Sequence, residues 1–174
     1  IAYNIPLLVW GIKPVKPGIR CENFVSSLDI FSTILDILKI ENPDTDGTNP
    51  SKSLKKLLAG NNKDWVDEIF IENEETRAIR TPNWSYVKRF NGSKAYPLNN
   101  ALYDLKNDPD ERINIYSDSS PLNIQHELDK RLSDFFSNYA EPKYDLWKGG
   151  TVKSNTSRPW LWEDAWGAEW RPIT

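Results

Sequence analysis

One histidine and one cysteine bound the nucleophilic chemistry open to this 174-residue chain. A Ser-His-Asp triad, a Cys-His pair and a histidine zinc site all need an imidazole beside a partner. His126 stands two positions before Leu128, about 200° round a helix, so it points away from the apolar face and reads as a solvated residue. Asp44, Asp46 and Asn49 offer oxygens, but not at the positions an EF-hand loop requires, and a solvated turn accounts for them better. Asp104, Asp108, Asp110 and Glu111 surround Pro109, whose fixed φ suits a turn, so this acidic cluster also reads as turn chemistry. Three sequons, at Asn83, Asn91 and Asn155, are expected by chance in so Asn-rich a chain. The distinctive surface candidate is a run holding Trp147, Trp160, Trp162, Trp166 and Trp170. Sugar rings stack on indoles. In an extended segment Trp160 and Trp162 share a face, and Arg158 or Arg171 can meet a sulfate. Trp160, Trp162 and Arg158 are therefore the candidate substrate-binding residues; the competing reading has the indoles pinning an irregular tail, since Trp is highly buried on average.

These residues need elements to position them. The apolar run 5–10, bounded by Gly11, reads as a strand. Residues 28–38 read as a helix capped by Ser26 or Ser27. Asp29, Ser32, Thr33 and Asp36 form its thin polar stripe, and the rest is Leu, Ile and Phe. So apolar a helix asks for burial, and residues 1–60 offer too little to cover it, which predicts a sheet outside this sequence and an apolar face open or covered by something else. A Pro/Asp/Asn/Gly loop fills 41–52, and a short helix from Ser53 to Ala59 stops at Gly60. Short β-branched and aromatic segments then follow at 68–72, 77–80, 85–90 and 102–105, which predicts an antiparallel meander. Ser120-Pro121 opens the next helix, whose apolar face is Leu128, Leu132, Phe135, Phe136 and Tyr139, and Pro142 ends it.

Several segments, in order, resemble the C-terminal part of a formylglycine-type sulfatase, of the alkaline phosphatase-like superfamily. They are Ile5-Pro6-Leu7-Leu8-Val9-Trp10, Lys16-Pro17-Gly18, Val25 to Asp36, Asp46-Gly47, Ser53-Leu54, Arg77-Ala78-Ile79-Arg80-Thr81 and Leu102-Tyr103-Asp104-Leu105-Lys106-Asn107-Asp108-Pro109. The helix resembles the family's Asp-x-x-Pro-Thr-Leu-Leu segment, with Ser32 where Pro is usual. The resemblance covers roughly residues 1–140. It implies an α/β fold, α+β within this fragment, with a small antiparallel sheet packed on a C-terminal helix. The expected organisation is 1–60, the end of the large α/β domain; 61–142, a four-stranded subdomain with its helix; and 143–174, a Trp-rich tail. The resemblance also implies calcium and a formylglycine for the parent enzyme, and a periplasmic or secreted location. Cys21 is followed by Glu22-Asn23-Phe24-Val25 and lacks the family's Cys/Ser-x-Pro-x-Arg pattern, so it is read as a half-buried neutral thiol. No catalytic, metal or cofactor residue is assigned within this chain, which is expected to be inactive alone. Its implied partners are the missing N-terminal sulfatase domain and a sulfated polysaccharide.

Composition supports these limits. A net charge of −3 without a basic block argues against nucleic acid as the main partner. No apolar run reaches the roughly 18 residues of a membrane helix. Besides the sulfatase fragment, two readings stay open: a stand-alone carbohydrate-binding module using the tail, and a phosphoesterase relative of the same superfamily.

Overall fold

A computed structural model describes residues 5–149 except 12, 14, 45, 74–75 and 90–98. The chain divides at Ile69 and Phe70 into two compact units. In the first, α1 spans Asp29–Leu38 and α2 spans Lys55–Leu58. In the second, a sheet of β1 (Ile69–Asn73), β2 (Thr76–Arg80), β3 (Trp84–Arg89) and β4 (Ala101–Asp104) is followed by α3 (Asn123–Tyr139) and two 3-10 turns, Pro142–Tyr144 and Leu146–Lys148.

The four strands lie in sequence order, each beside the next. The β2–β3 and β3–β4 pairs are antiparallel, so the predicted meander is present. Their register puts Ile79 opposite Tyr86 and Tyr86 opposite Leu102. Side chains alternate along a strand, so these three line one face, and α3 covers it with Leu128, Leu132 and Phe136. Phe70, Trp84, Ile115, Tyr116, Ile124 and Phe135 close the margin of this core. The predicted helical face is correct in register. Phe135 is only half-buried, stacked on Phe70 at a 4.0 Å centroid distance, and Tyr139 lies at the exposed end of the stripe.

The start of α3 differs from the expectation. Neither Ser120 nor Pro121 opens it; Leu122 is the N-cap and gives no side-chain cap. The preceding loop is held instead by Gln125. Its Oε1 accepts from the Ser117 amide at 3.2 Å, and its Nε2 donates to the Ser117 carbonyl at 3.0 Å. The Gln125 amide thus donates and accepts at once to hold the loop, and no side chain caps the first turn of α3.

In the first unit, residues 5–10 join no ladder among the described residues, and Ile5, Leu8 and Trp10 are exposed. A strand is a paired object, and an apolar run alone does not make one. The 15–24 loop is tied to 58–67: the Lys16 amide donates to the Leu58 carbonyl, the Phe24 amide to Asp67 Oδ1 at 2.6 Å, and Trp65 Nε1 to the Phe24 carbonyl at 3.0 Å. Gly60, at φ +81°, takes the left-handed conformation that stops α2, as predicted.

Candidate functional site

The first unit is organised around the polar stripe of α1. Asp29 is 5% exposed and Thr33 7% exposed, so the stripe is the buried side of the helix. Asp29 Oδ2 accepts from the Ser26 amide at 2.8 Å; the N-cap is Leu28, not Ser26 or Ser27 as expected, and no side chain caps the helix. Its Oδ1 accepts from the Lys52 amide at 2.8 Å. Thr33 Oγ1 donates to the Asp29 carbonyl and accepts from the Leu54 amide at 2.8 Å. Ser32 bonds Ser51, and Asp36 receives both the Ser53 hydroxyl at 2.7 Å and the Lys55 ammonium at 2.6 Å. The Lys55 bond first, then Ser53, holds the Asp36 carboxyl below the usual carboxylate range. Segment 51–55 is therefore laid along the stripe by its own polar groups.

That arrangement turns the apolar side outward. Ile30, Phe31, Ile34 and Leu38 fall within about 100° of arc on the side opposite the stripe. Ile34 is 51% and Leu38 61% exposed, and Ile30, Phe31 and Leu28 are exposed as well. An apolar face left in water beside a satisfied polar stripe is the marker of an interaction surface.

The second unit holds two polar clusters. Arg77 on β2 is 6% exposed and lies between two rings, with its guanidinium carbon 4.1 Å from the Phe136 centroid and 4.3 Å from that of Trp147. Its edge meets Glu72 at 2.9 Å and the 1%-exposed Asp145 at 3.1 Å. Asp145 Oδ1 also accepts from the Trp147 amide at 3.0 Å. Arg77 Nη2 and Asp145 Oδ2 lack a hydrogen bond of good geometry. This cluster fastens the segment after α3 onto β1 and β2. In the other, Asp129 on α3 accepts from the Tyr86 hydroxyl at 2.9 Å and from Lys88 at 2.6 Å. Burial, and then the Asp129 charge, push the Tyr86 phenol well above its ordinary pKa. Both clusters join α3 or its exit to the sheet, which is positioning work.

The residues singled out for chemistry do not converge. Cys21 is exposed, where a half-buried thiol was expected; the loop around it faces water and its Sγ bonds Asn23. His126 is exposed on α3, as its helical position predicts. Asp44 accepts from the amides of Thr48 and Asn49 and from the Thr48 hydroxyl, and those bonds, that from Asn49 foremost, lower its pKa. Asp104 serves its own turn in the same way through Asn107 and Lys106. Glu111 pairs with Arg80, and Asp108 accepts from the Ile113 amide at 2.8 Å. Asn83 sits exposed in the β2–β3 turn. Asn91, Asn155, Arg158, Trp160, Trp162, Trp166, Trp170 and Arg171 lie outside the described residues. Among the described residues, no three His, Cys, Asp or Glu side chains are grouped to hold a metal ion. The carboxylate oxygens of Asp44 and Asp104 are spent on loop amides and do not fit a calcium site, and the surroundings of Cys21 do not fit a formylglycine. No described helix is long and apolar enough to cross a membrane.

The sequence reading missed Arg77 and its partners. Its one signal was an arginine in the alternating β2 pattern on the same side as Ile79, a core-facing position.

A family model described as N-sulphoglucosamine sulphohydrolase, C-terminal, matches residues 2–138. Arylsulfatase K of Homo sapiens is 28% identical over 187 aligned positions, which cover 95% of this chain and 34% of that protein. The fold is similar to that of a phosphonate monoester hydrolase of Agrobacterium radiobacter, at a TM-score of 0.55 and 23% identity over 67% of this chain and 26% of that one. It is also similar to a protein solved with its substrate D-glucosamine-2-N,6-O-disulfate, at a TM-score of 0.50 and 23% identity over 64% of this chain and 24% of that one. The chain spans about a third of the length of the curated relatives it matches.

Proposed function

This chain belongs to the N-sulphoglucosamine sulphohydrolase C-terminal family, and from that membership we propose that it is the C-terminal part of a sulfatase that hydrolyses sulfate esters of a carbohydrate. The observation that carries the reading is the continuous family match over residues 2–138, which takes in β1–β4, all but the last residue of α3 and both helices of the first unit. The sulfated sugar in the family's description favours a sulfated carbohydrate as substrate. The fold alone does not separate sulfate from phosphonate or phosphate chemistry, since a phosphonate monoester hydrolase shares it; the family match favours sulfate.

In this reading the remaining polypeptide supplies the nucleophile and the metal site. A formylglycine would provide the attacking hydroxyl and calcium would hold the sulfate, both on residues other than those of this chain. Residues 5–149 supply scaffold. Trp160, Trp162 and Arg158 are proposed to meet the sugar, on the ground that indoles stack on sugar rings and guanidinium pairs with sulfate. A periplasmic or secreted location follows from the resemblance to the family.

The test is the reading frame upstream of Ile1, followed by assay of the whole protein. A Cys/Ser-x-Pro-x-Arg motif, with calcium-dependent turnover of an aryl sulfate and of a sulfated oligosaccharide, is the expected result. A Ser or Thr without the Pro and Arg, with turnover of a phosphate ester instead, replaces it with the phosphoesterase reading. A start codon near Ile1, with sulfated polysaccharide bound and none cleaved, selects the binding module.

A further inference from the structure

We draw no further inference here: the strongest candidate, the side-chain cluster of Arg77 and Asp145 beside the Phe136 and Trp147 rings, where the segment after α3 meets β2, belongs to the scaffold already described and only fastens that segment to the sheet.

Discussion

At the scale of single residues, Arg77 and Asp36 show the same charge chemistry at two depths. Arg77 is sealed between Phe136 and Trp147 and neutralises Asp145, which is almost wholly buried. Removing one partner of such a pair strands a charge in a poorly solvated place, which costs about 3–5 kcal/mol. Arg77→Ala should therefore destabilise the chain by about that amount in urea unfolding. Adding Asp145→Asn to Arg77→Met should recover part of the loss, because the stranded charge is gone; a double variant no better than Arg77→Met alone would exclude an electrostatic origin. Asp36 lies at the surface, and its pair with Lys55 acts on pH dependence. Its folded pKa is below the ordinary value, so its contribution is present above about pH 4 and is lost as pH falls through the lowered value. Asp44 and Asp104 shift in the same direction. Thermal midpoints measured from pH 7 down to pH 3 should fall at the acid end, and Asp36→Asn should make that fall shallower. An identical acid limb in the variant would show that the Lys55 bond contributes nothing.

At the scale of elements, α3 is the clearest test of the packing. Leu132 is 1% exposed against Ile79, Tyr86 and Leu102, so Leu132→Ala should cost about 2–5 kcal/mol. Phe135→Ala should cost less than a fully enclosed ring would, because Phe135 stacks on Phe70 at the margin. His126→Ala, on the solvent side, should cost about 0.5 kcal/mol or less. Equal losses at 126 and 132 in chemical denaturation would mean that the helix is turned the other way. These elements were legible because their signals are local. A period of two marks β2 and β3, and Leu128, Leu132 and Phe136 recur at helical spacing. What was not legible depends on partners distant in sequence. Gln125 holds the loop before α3 because Ser117 folds back on it, Arg77 pairs with Asp145 far along the chain, and the run 5–10 needs a neighbour the sequence does not name. The thin polar stripe of α1 was visible, and an open apolar face was expected. That the stripe itself would be the buried side, against Ser51–Lys55, was not.

At the scale of the whole molecule, no three His, Cys, Asp or Glu side chains among the described residues are grouped to hold a metal ion. Hydrolysis of a sulfate ester needs a nucleophile and stabilisation of charge on the transferring group. Cys21 is exposed beside Asn23, His126 stands on the wet side of α3, and the turn carboxylates of Asp44 and Asp104 accept from backbone and side-chain amides of their own loops. The 174-residue chain should therefore leave an aryl sulfate untouched with or without calcium. Calcium should also leave its unfolding midpoint unchanged. A ligand that binds only the folded state must raise stability, by about 2.7 kcal/mol at a hundred times its Kd, so calorimetry with millimolar calcium and with a chelator senses even a site that supports no turnover. The loop bonds of Asp44 and Asp104 already satisfy the oxygens such a site would use, and a cation would have to break them to enter. A calcium-dependent rise in midpoint would place a cation site in this chain. Calcium-dependent turnover by the purified chain would go further, moving the reaction centre into residues 1–174 and ending the assignment of this chain to scaffold.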